Sequence, residues 1–195
     1  MKGQIVKNIS NDYTVFANNK YYVCKCRGKI KNENITPLVG DYCIFDSENN
    51  YITSICERKN FLTRPMVANI DQAFIVTSLK EPAFSTNLLD KLLVICTLNN
   101  IKPIIILTKK DKLTREEKKE LKKVLKYYKK YYKVLYNTNL FRIKLLLRNK
   151  TTVFTGQTGS GKSTLMNKLD KNLDFETNEI SHALGRGNIR QDVCL

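Results

Sequence analysis

The sequence has little of what builds metal sites, and it has no long apolar run. It contains one histidine, His182, and its six cysteines form no CxxC pair, which leaves few ligands for a zinc site. No apolar run approaches the roughly 20 residues that a helix needs to cross a bilayer. The N-terminal segment Met1–Lys7 turns polar where a signal peptide would become apolar. We therefore expect a cytoplasmic protein with no membrane partner, whose cysteines stay reduced and pack as small hydrophobic side chains.

Acidic residues are also scarce. The 195 residues include 34 Lys and Arg but only 18 Asp and Glu, for a formal net charge of +16. This excess favours a polyanionic partner, and a nucleic acid backbone is the obvious candidate. An alternative stays open, because the chain is also rich in Asn, Ile and Tyr, whose codons are AT-rich, and part of the lysine excess can reflect genome composition. Hydrophobic residues make up 42%, which suffices for a packed core in one large or two small domains.

Residues 1–62 show short apolar and β-branched runs separated by turn signals. Five strands at this spacing predict an N-terminal all-β domain, a small barrel of the OB type. The predicted strands are Gln4–Ile9, Tyr13–Phe16, Tyr21–Cys26, Asp41–Phe45 and Tyr51–Cys56. Basic side chains and tyrosines are interleaved here, which suits either an RNA-binding surface or a solvated barrel face with half-buried tyrosines. These residues are Lys20, Lys25, Arg27, Lys29, Lys31, Tyr13, Tyr21 and Tyr22.

Residues 63–195 show strands that alternate with helices, which predicts an α/β domain with a mostly parallel sheet. The predicted strands are Gln72–Thr77, Ile104–Leu107, Tyr132–Tyr136 and Thr151–Thr155. The predicted helices are Asn87–Leu98, one that starts at Thr114, Leu140–Arg148 and Ser163–Leu169.

The predicted helix that starts at Thr114 begins with a capping box, in which Glu117 is the second member. Leucine, valine and tyrosine side chains form its apolar face, and nearly all of the other face is lysine. Such a face can bind phosphates, but a solvated helix surface is the commoner meaning of a lysine run. The lysines are Lys118, Lys119, Lys122, Lys123, Lys126, Lys129 and Lys130.

The segment Gly156–Thr164 fits the phosphate-binding pattern GxxxxGKS at every required position. Its glycines let consecutive backbone N–H groups point at a triphosphate, and the helix that follows adds its positive N-terminal end. We expect Lys162 to reach the β and γ phosphates and the Ser163 hydroxyl to bind Mg²⁺. The predicted nucleotide-binding residues of this loop are Gly156, Gln157, Thr158, Gly159, Ser160, Gly161, Lys162, Ser163 and Thr164.

A second ligand-binding segment is predicted at Thr108, Lys109, Lys110 and Asp111, directly after the strand Ile104–Leu107. Loops in this position of a parallel sheet contact ligands. The Asp111 carboxylate can accept two hydrogen bonds from guanine, from N1 and the 2-amino group, and the stem of Lys109 can lie over the base. Adenine lacks that pair of donors, so we expect GTP or GDP to be the nucleotide.

With the base-binding segment before the phosphate loop, the chain resembles a circularly permuted GTPase. Over four segments it is similar to the small ribosomal subunit biogenesis GTPases of bacteria, the RsgA family. These segments are Thr36–Asp41, Arg64–Gln72, Gly156–Asn167 and Leu184–Gly187. The resemblance implies a cytoplasmic, monomeric GTPase that uses GTP and Mg²⁺, binds 16S-type ribosomal RNA of the small subunit through its OB domain, and hydrolyses GTP to leave the subunit.

The chain departs from this family pattern near its end. After Gly185–Gly187, where the family has Lys-His-Thr-Thr, it continues with Asn188–Gln191, so the first-switch threonine and the histidine proposed to orient water are absent. It stops at Leu195, before an Asp-x-x-Gly motif and before the zinc-binding Cys/His domain of the family. We therefore expect a C-terminally truncated or divergent chain with an incomplete sheet and no zinc ligands, and no residue can be named as the catalytic group.

Two functions remain open at this stage. The first is GTP hydrolysis in late maturation of the 30S ribosomal subunit, which requires the water to be positioned and the γ-phosphate charge to be neutralised. The alternative is a hydrolysis-deficient RNA-binding module with a residual nucleotide site. A phosphate-loop kinase or ATPase is a weaker third candidate, and Thr108–Asp111 argues against it.

Overall fold

The computed structural model describes residues 1–26, 35–170 and the backbone of 192–194. The chain forms two compact units, Met1–Ile70 and Asp71–Cys194. Three residues from the predicted barrel surface, Arg27, Lys29 and Lys31, lie outside the described part. Within the described part, no helix is both long and apolar enough to cross a membrane.

The first unit is a closed five-stranded barrel, as the sequence predicts. Its strands are β1 (Lys2–Ile9), β2 (Asp12–Ala17), β3 (Lys20–Cys26), β4 (Tyr42–Asp46) and β5 (Tyr51–Ile55). They are joined in the order β1-β2-β3-β5-β4, and only β3 and β5 pair in parallel. Alternate side chains point inward, because successive residues of a strand face opposite sides. The barrel core consists of Ile5, Tyr13, Val15, Ala17, Cys24, Cys43, Phe45 and Ile52.

A hairpin of β6 (Phe61–Thr63) and β7 (Met66–Ala68) follows the barrel within the first unit. The backbone of Val39 pairs with Val67, and the Asn69 side chain donates a 3.0 Å hydrogen bond to the carbonyl of Gly40. These contacts tie the hairpin to the segment that leads into β4. The predicted domain boundary between residues 62 and 63 lies inside β6, whereas the two compact units divide after Ile70.

The second unit has a five-stranded sheet in the order β10-β9-β8-β11-β12. Its strands are β8 (Gln72–Ser78), β9 (Lys102–Thr108), β10 (Lys133–Tyr136), β11 (Thr152–Thr155) and β12 (Asp192–Cys194). The first four strands in this spatial order are mutually parallel, and β12 pairs antiparallel with β11 at the edge. The predicted α/β architecture with a mostly parallel sheet is confirmed.

Four helices connect these strands within the described residues. They are α1 (Thr86–Leu98), α2 (Arg115–Tyr131), α3 (Leu140–Leu147) and α4 (Lys162–Leu169). The predicted capping box at the start of α2 is present, with Thr114 and Glu117 bonded reciprocally. A core of strand and helix side chains forms against the sheet, where the rings of Phe74 and Phe154 meet with centroids 5.2 Å apart.

Candidate functional site

Two loops leave the sheet at one edge. β9 ends at Thr108 and its loop begins at Lys109, while the loop after β11 begins at Gly156. Because β9 and β11 are both parallel to β8 and lie on either side of it, their carboxyl ends meet at the same edge of the sheet. The predicted base-binding and phosphate-binding segments are therefore neighbours.

Side chains of the base-binding loop hold the phosphate-binding loop directly. The Thr108 hydroxyl donates a 2.6 Å hydrogen bond to the carbonyl of Ser160, and both residues are buried. The Lys109 ammonium donates a 2.8 Å hydrogen bond to the carbonyl of Gly159. At Gly161, a Cβ atom would lie 3.7 Å from the Thr108 methyl carbon, so the Thr108 side chain also lies close to this glycine. These contacts fix the spacing between the two loops.

The phosphate loop needs glycine at its turns. Gly156, Gly159 and Gly161 have φ angles of 147°, 76° and 91°, in the region that residues with a Cβ rarely adopt. A Cβ atom at Gly156 would lie 2.0 Å from the carbonyl oxygen of Val76, so this position also has no space for one. The loop thus passes over the end of β8 through a conformation that alanine cannot adopt without strain.

The N-terminus of α4 opens at the end of this loop. Gly161 is its N-cap, and no side chain caps the helix, so the N–H groups of the first turn have no side-chain acceptor at the cap. Lys162, the first residue of the helix, is buried, and its ammonium donates to the carbonyls of Gly156 and Gln157 at 3.1 and 3.2 Å. The partly buried Ser163 follows. The helix end and the ammonium together make this edge positive, which favours an anion.

The base-binding loop turns sharply after β9. Lys109 has a left-handed φ of 55°, and Lys110–Lys112 form one turn of 3-10 helix that exposes Asp111. Burial lowers the pKa of the Lys109 ammonium, and the charge of Lys112 lowers it further. The ammonium of Lys110 lies 4.7 Å from the centre of the Tyr136 ring, which is a cation–π contact.

The loop after β8 supports the base-binding loop, and sequence reasoning missed it. The backbone carbonyl of Glu81 accepts a hydrogen bond from Lys109, and its carboxylate pairs with Lys112. This hydrogen bond from Lys112 is the main reason that the pKa of Glu81 lies below its ordinary value. Lys80 binds Glu117 at the start of α2, with a shortest distance of 2.9 Å. The sequence did contain one indication of this loop's role. The loop follows the carboxyl end of a predicted parallel strand, as the two predicted ligand-binding segments do.

On the barrel unit, only part of the predicted tyrosine surface faces solvent. Tyr13 is buried in the barrel core, and Tyr22 is half-buried with its ring 5.1 Å from that of Phe45. Tyr21 is 71% exposed, and its ring lies 5.0 Å from that of Phe16 on the next strand. The difference follows from the alternation of side chains along each strand.

Other predicted residues lie outside the described part of the chain. These are His182, the segment Leu184–Gly187 and the segment Asn188–Gln191, where the family pattern is altered. Within the described residues, no group of three or more His, Cys, Asp or Glu side chains is placed to hold a metal.

Two family models match the chain. The model of the RsgA N-terminal domain matches residues 2–55, and the model of the RsgA GTPase matches residues 55–189. A small ribosomal subunit biogenesis GTPase RsgA 1 from Listeria monocytogenes is 43% identical over 194 residues, which cover 96% of this chain and 67% of the relative. The RsgA of Streptococcus pneumoniae is 44% identical over 190 residues, covering 96% of this chain and 64% of the relative.

Two solved structures are also similar. YjeQ from Thermotoga maritima has a TM-score of 0.79 at 29% identity, over 91% of this chain and 67% of that one. YloQ, described as a circularly permuted GTPase, has a TM-score of 0.72 at 37% identity, over 88% of this chain and 64% of that one. The chain spans about two thirds of the length of these relatives. By the extent of these matches, it belongs to the RsgA GTPase family.

Proposed function

We propose that this chain binds GTP with Mg²⁺, hydrolyses it, and acts in biogenesis of the small ribosomal subunit. The second unit would hold the nucleotide, and the barrel unit would bind 16S-type ribosomal RNA in the cytoplasm, with the protein acting as a monomer. The names of the relatives support the process. The main observation in favour of a nucleotide site is a pair of hydrogen bonds, from Thr108 to Ser160 and from Lys109 to Gly159. They join the predicted base-binding segment to the predicted phosphate loop.

The loop after β9 supplies what guanine recognition requires. The exposed carboxylate of Asp111 is available to accept hydrogen bonds from N1 and the 2-amino group of the base. Lys109 is held by Gly159 and Glu81, so its aliphatic stem is fixed where it can cover one face of the base. A base without the two donors would leave the carboxylate desolvated and unpaired, which costs about 1–3 kcal/mol.

The phosphate loop supplies what a triphosphate with a hard cation requires. The first-turn N–H groups of α4 and the Lys162 ammonium would hold the β and γ phosphates. The Ser163 hydroxyl at the second position of α4 would bind Mg²⁺, which prefers oxygen ligands and keeps waters and phosphate oxygens around it. The bound cation supplies charge neutralisation at the phosphates. Thr164, the last residue of the motif, is exposed.

Nucleotide selectivity tests this proposal. We expect the unmodified chain to bind GTP and GDP much more tightly than ATP in a titration with fluorescent nucleotides. Asp111→Asn should weaken GTP binding by about tenfold to a hundredfold, since the carboxylate accepts both guanine donors. Lys162→Ala should weaken both GTP and GDP, whereas Lys168→Ala on the exposed side of α4 should change neither. Equal affinity for ATP and GTP would refute the proposal.

A binding module without turnover is the second candidate, and the altered segment Asn188–Gln191 favours it. Positioning of the phosphates without a water-orienting group supports binding better than hydrolysis. Release of inorganic phosphate from GTP, measured with and without purified small ribosomal subunits, separates the two candidates. Turnover that rises with subunits and disappears in Lys162→Ala supports the GTPase. Tight GTP binding with no turnover under either condition supports the module.

For the barrel unit, we propose that RNA bases stack on its outward aromatic side chains. The exposed Tyr21 packs on the half-buried Phe16, and the ammonium of Lys2 lies 5.6 Å from the centre of the exposed Tyr42 ring. Lys20 and Lys25 are exposed on β3 with Tyr21 and can bind phosphates. Tyr21→Ala should weaken binding to 16S-type ribosomal RNA by about 1–3 kcal/mol, whereas Tyr21→Phe keeps the ring and should bind normally. Equal losses in both variants would show that the ring does not stack on RNA.

A further inference from the structure

Helix α2 presents a basic surface that the proposed nucleotide site does not use. Its 17 residues include eight basic side chains against three acidic ones. The three acidic residues are Glu116, Glu117 and Glu120, so the charged side chains from Leu121 to Tyr131 are all positive. Seven lysines of this surface are exposed, namely Lys118, Lys119, Lys122, Lys123, Lys126, Lys129 and Lys130. We call these seven lysines the α2 lysine surface.

The packing of α2 keeps this surface outward. Leu125 and Tyr128 are the buried residues of the helix. The Tyr128 hydroxyl donates a 2.7 Å hydrogen bond to Asp90 of α1, which anchors the inner side of the helix. Because side chains three and four residues apart share one helix face, a fixed inner side fixes the orientation of the opposite side. The lysines, which are all exposed, are therefore held facing solvent.

Two exposed tyrosines lie among the lysines. Tyr127 is 63% exposed and Tyr131 is 57% exposed, one turn apart, and their ring centroids are 5.2 Å from each other. The ammonium of Lys130 lies 5.1 Å from the centre of the Tyr131 ring. Exposed aromatic rings beside basic side chains are typical of surfaces that bind single-stranded nucleic acid. The bases stack on the rings, and the basic side chains bind the phosphates.

Among the described residues, no carboxylate forms an ion pair with this surface. The ion pairs between described residues join Arg58 to Asp41, Lys80 to Glu117 and Lys112 to Glu81. None of them uses a member of the α2 lysine surface. The lysines from Lys122 to Lys130 extend over about 12 Å at a rise of about 1.5 Å per residue. This length is enough for several phosphates of one strand.

We propose that the α2 lysine surface, together with Tyr127 and Tyr131, binds a single-stranded or looped RNA segment through its phosphates and unstacked bases. This adds a second RNA-binding surface, on the unit that carries the nucleotide loops, to the one proposed for the barrel. It stands on the contacts of α2 alone and does not depend on nucleotide binding.

The composition of the helix favours RNA over an acidic membrane. A helix that lies on a membrane inserts an apolar face with leucine, phenylalanine or tryptophan between the lipids. The fully buried apolar residues of α2 face the interior of the unit, and Leu121 and Val124 are half-buried. The exposed side offers lysines and two tyrosines, which supply charge and stacking but little aliphatic surface for insertion.

Charge removal at matched positions tests this inference. The test variant changes Lys122, Lys123, Lys126 and Lys130 to Gln, which has a helix propensity similar to that of Lys. The control variant changes four exposed lysines elsewhere on the same unit to Gln, and thus removes the same net charge. These control lysines are Lys91, Lys102, Lys144 and Lys150. Binding to a fluorescent single-stranded RNA of about 16 nucleotides is measured by anisotropy over a range of salt concentrations.

We expect the test variant to bind this RNA at least tenfold more weakly than the control variant. The slope of log K against log salt should become shallower by about two to three units, since each lost phosphate contact on a single strand removes about 0.7. Replacing Tyr127 and Tyr131 together by Ala should also weaken binding, and replacing both by Phe should not. Far-UV circular dichroism and unchanged GTP affinity check that the unit is folded.

Equal RNA affinity in the test and control variants would overturn the inference. It would also be overturned if the test variant lost binding only to phosphatidylserine vesicles and kept its affinity for RNA. Failure of the proposed nucleotide site would appear separately, as loss of the preference for GTP over ATP with RNA binding intact.

Discussion

The hydroxyl of Thr108 and the carbonyl of Ser160 lie 2.6 Å apart and form a buried hydrogen bond between residues separated by 52 positions in the sequence. This bond sets the distance between the loop that follows β9 and the loop that follows β11. For the proposed nucleotide site, the bond would hold the two loops at their spacing before a ligand binds, which lowers the cost of ordering them on binding.

The first prediction concerns this bond. Thr108→Val keeps the shape of the side chain but leaves the Ser160 carbonyl without its partner, which costs about 1–3 kcal/mol in a buried site. We expect GTP affinity to fall by about tenfold, measured by fluorescence titration. Thr108→Ser keeps the hydroxyl and is the control. If Val and Ser variants bind GTP equally well, the bond does not organise the site.

The second prediction compares two glycines of the phosphate loop. Gly156→Ala places a Cβ atom 2.0 Å from the Val76 carbonyl oxygen at a φ of 147°, so strain and overlap act together. At Gly161 the Cβ of an alanine would make only ordinary van der Waals contact with the Thr108 side chain, at 3.7 Å, so Gly161→Ala meets only the strain of its φ of 91°. We expect Gly156→Ala to lower the free energy of unfolding by about 3 kcal/mol or more, and Gly161→Ala by about 1 kcal/mol. Urea unfolding of the two variants gives the comparison, and the reverse order would contradict the geometry.

The third prediction concerns the ion pair of the barrel unit. Arg58 donates two hydrogen bonds of 2.7 Å to the carboxylate of Asp41, which is fully buried and also accepts from the backbone N–H of Leu38. Arg58→Met leaves this carboxylate buried without its cation, and we expect a loss of about 3–5 kcal/mol in the free energy of unfolding.

The double variant Arg58→Met with Asp41→Leu removes both charges and is the control for this ion pair. It should recover a large part of the loss, since no charge then remains buried. Thermal unfolding followed by circular dichroism measures both variants. An Arg58→Met variant as stable as the unmodified chain would contradict the prediction.

The fourth prediction is a pH dependence. Cys96 of α1 is buried, and burial raises the pKa of its thiol from 9.0 to about 11. Between these two values the unfolded chain loses the thiol proton while the folded chain keeps it, so unfolding becomes easier as pH rises. Below pH 9 the thiol is protonated in both states and contributes no pH dependence.

We therefore expect the free energy of unfolding to decrease from about pH 9 to about pH 11, and Cys96→Ala to make this decrease smaller. Urea unfolding at several pH values measures it. The thiol of Cys43, buried in the barrel with its pKa raised to about 12, should give a similar effect in the other unit. An identical pH profile for Cys96→Ala and the unmodified chain would contradict the assignment.

Local spacing predicted much of the fold and of the site. The capping box at Thr114 and Glu117 marks the start of α2, and α1 begins one residue before the predicted Asn87. The GxxxxGKS loop follows a strand and precedes a helix, as the motif requires. Each of these features depends on residues within about ten positions of one another, so the pattern of side chains suffices to specify it.

Contacts between distant segments could not be predicted in this way. The side chains of Tyr13 and Tyr21 differ in whether they face the barrel core or solvent, and that depends on strand register. The support of Lys109 and Lys112 by Glu81 depends on the loop after β8 lying beside the loop after β9. The end of the first unit at Ile70 depends on the hairpin that packs against the residues before β4.

The sequence alone was sufficient to predict a base-binding segment and, after it, a phosphate loop, because each motif consists of a few consecutive residues. Whether the two segments lie next to each other depended on the order of β9, β8 and β11 in the sheet, which places both loops at the same edge. Sheet order arises from burial of strand faces contributed by the whole unit, and short-range spacing carries no information about it.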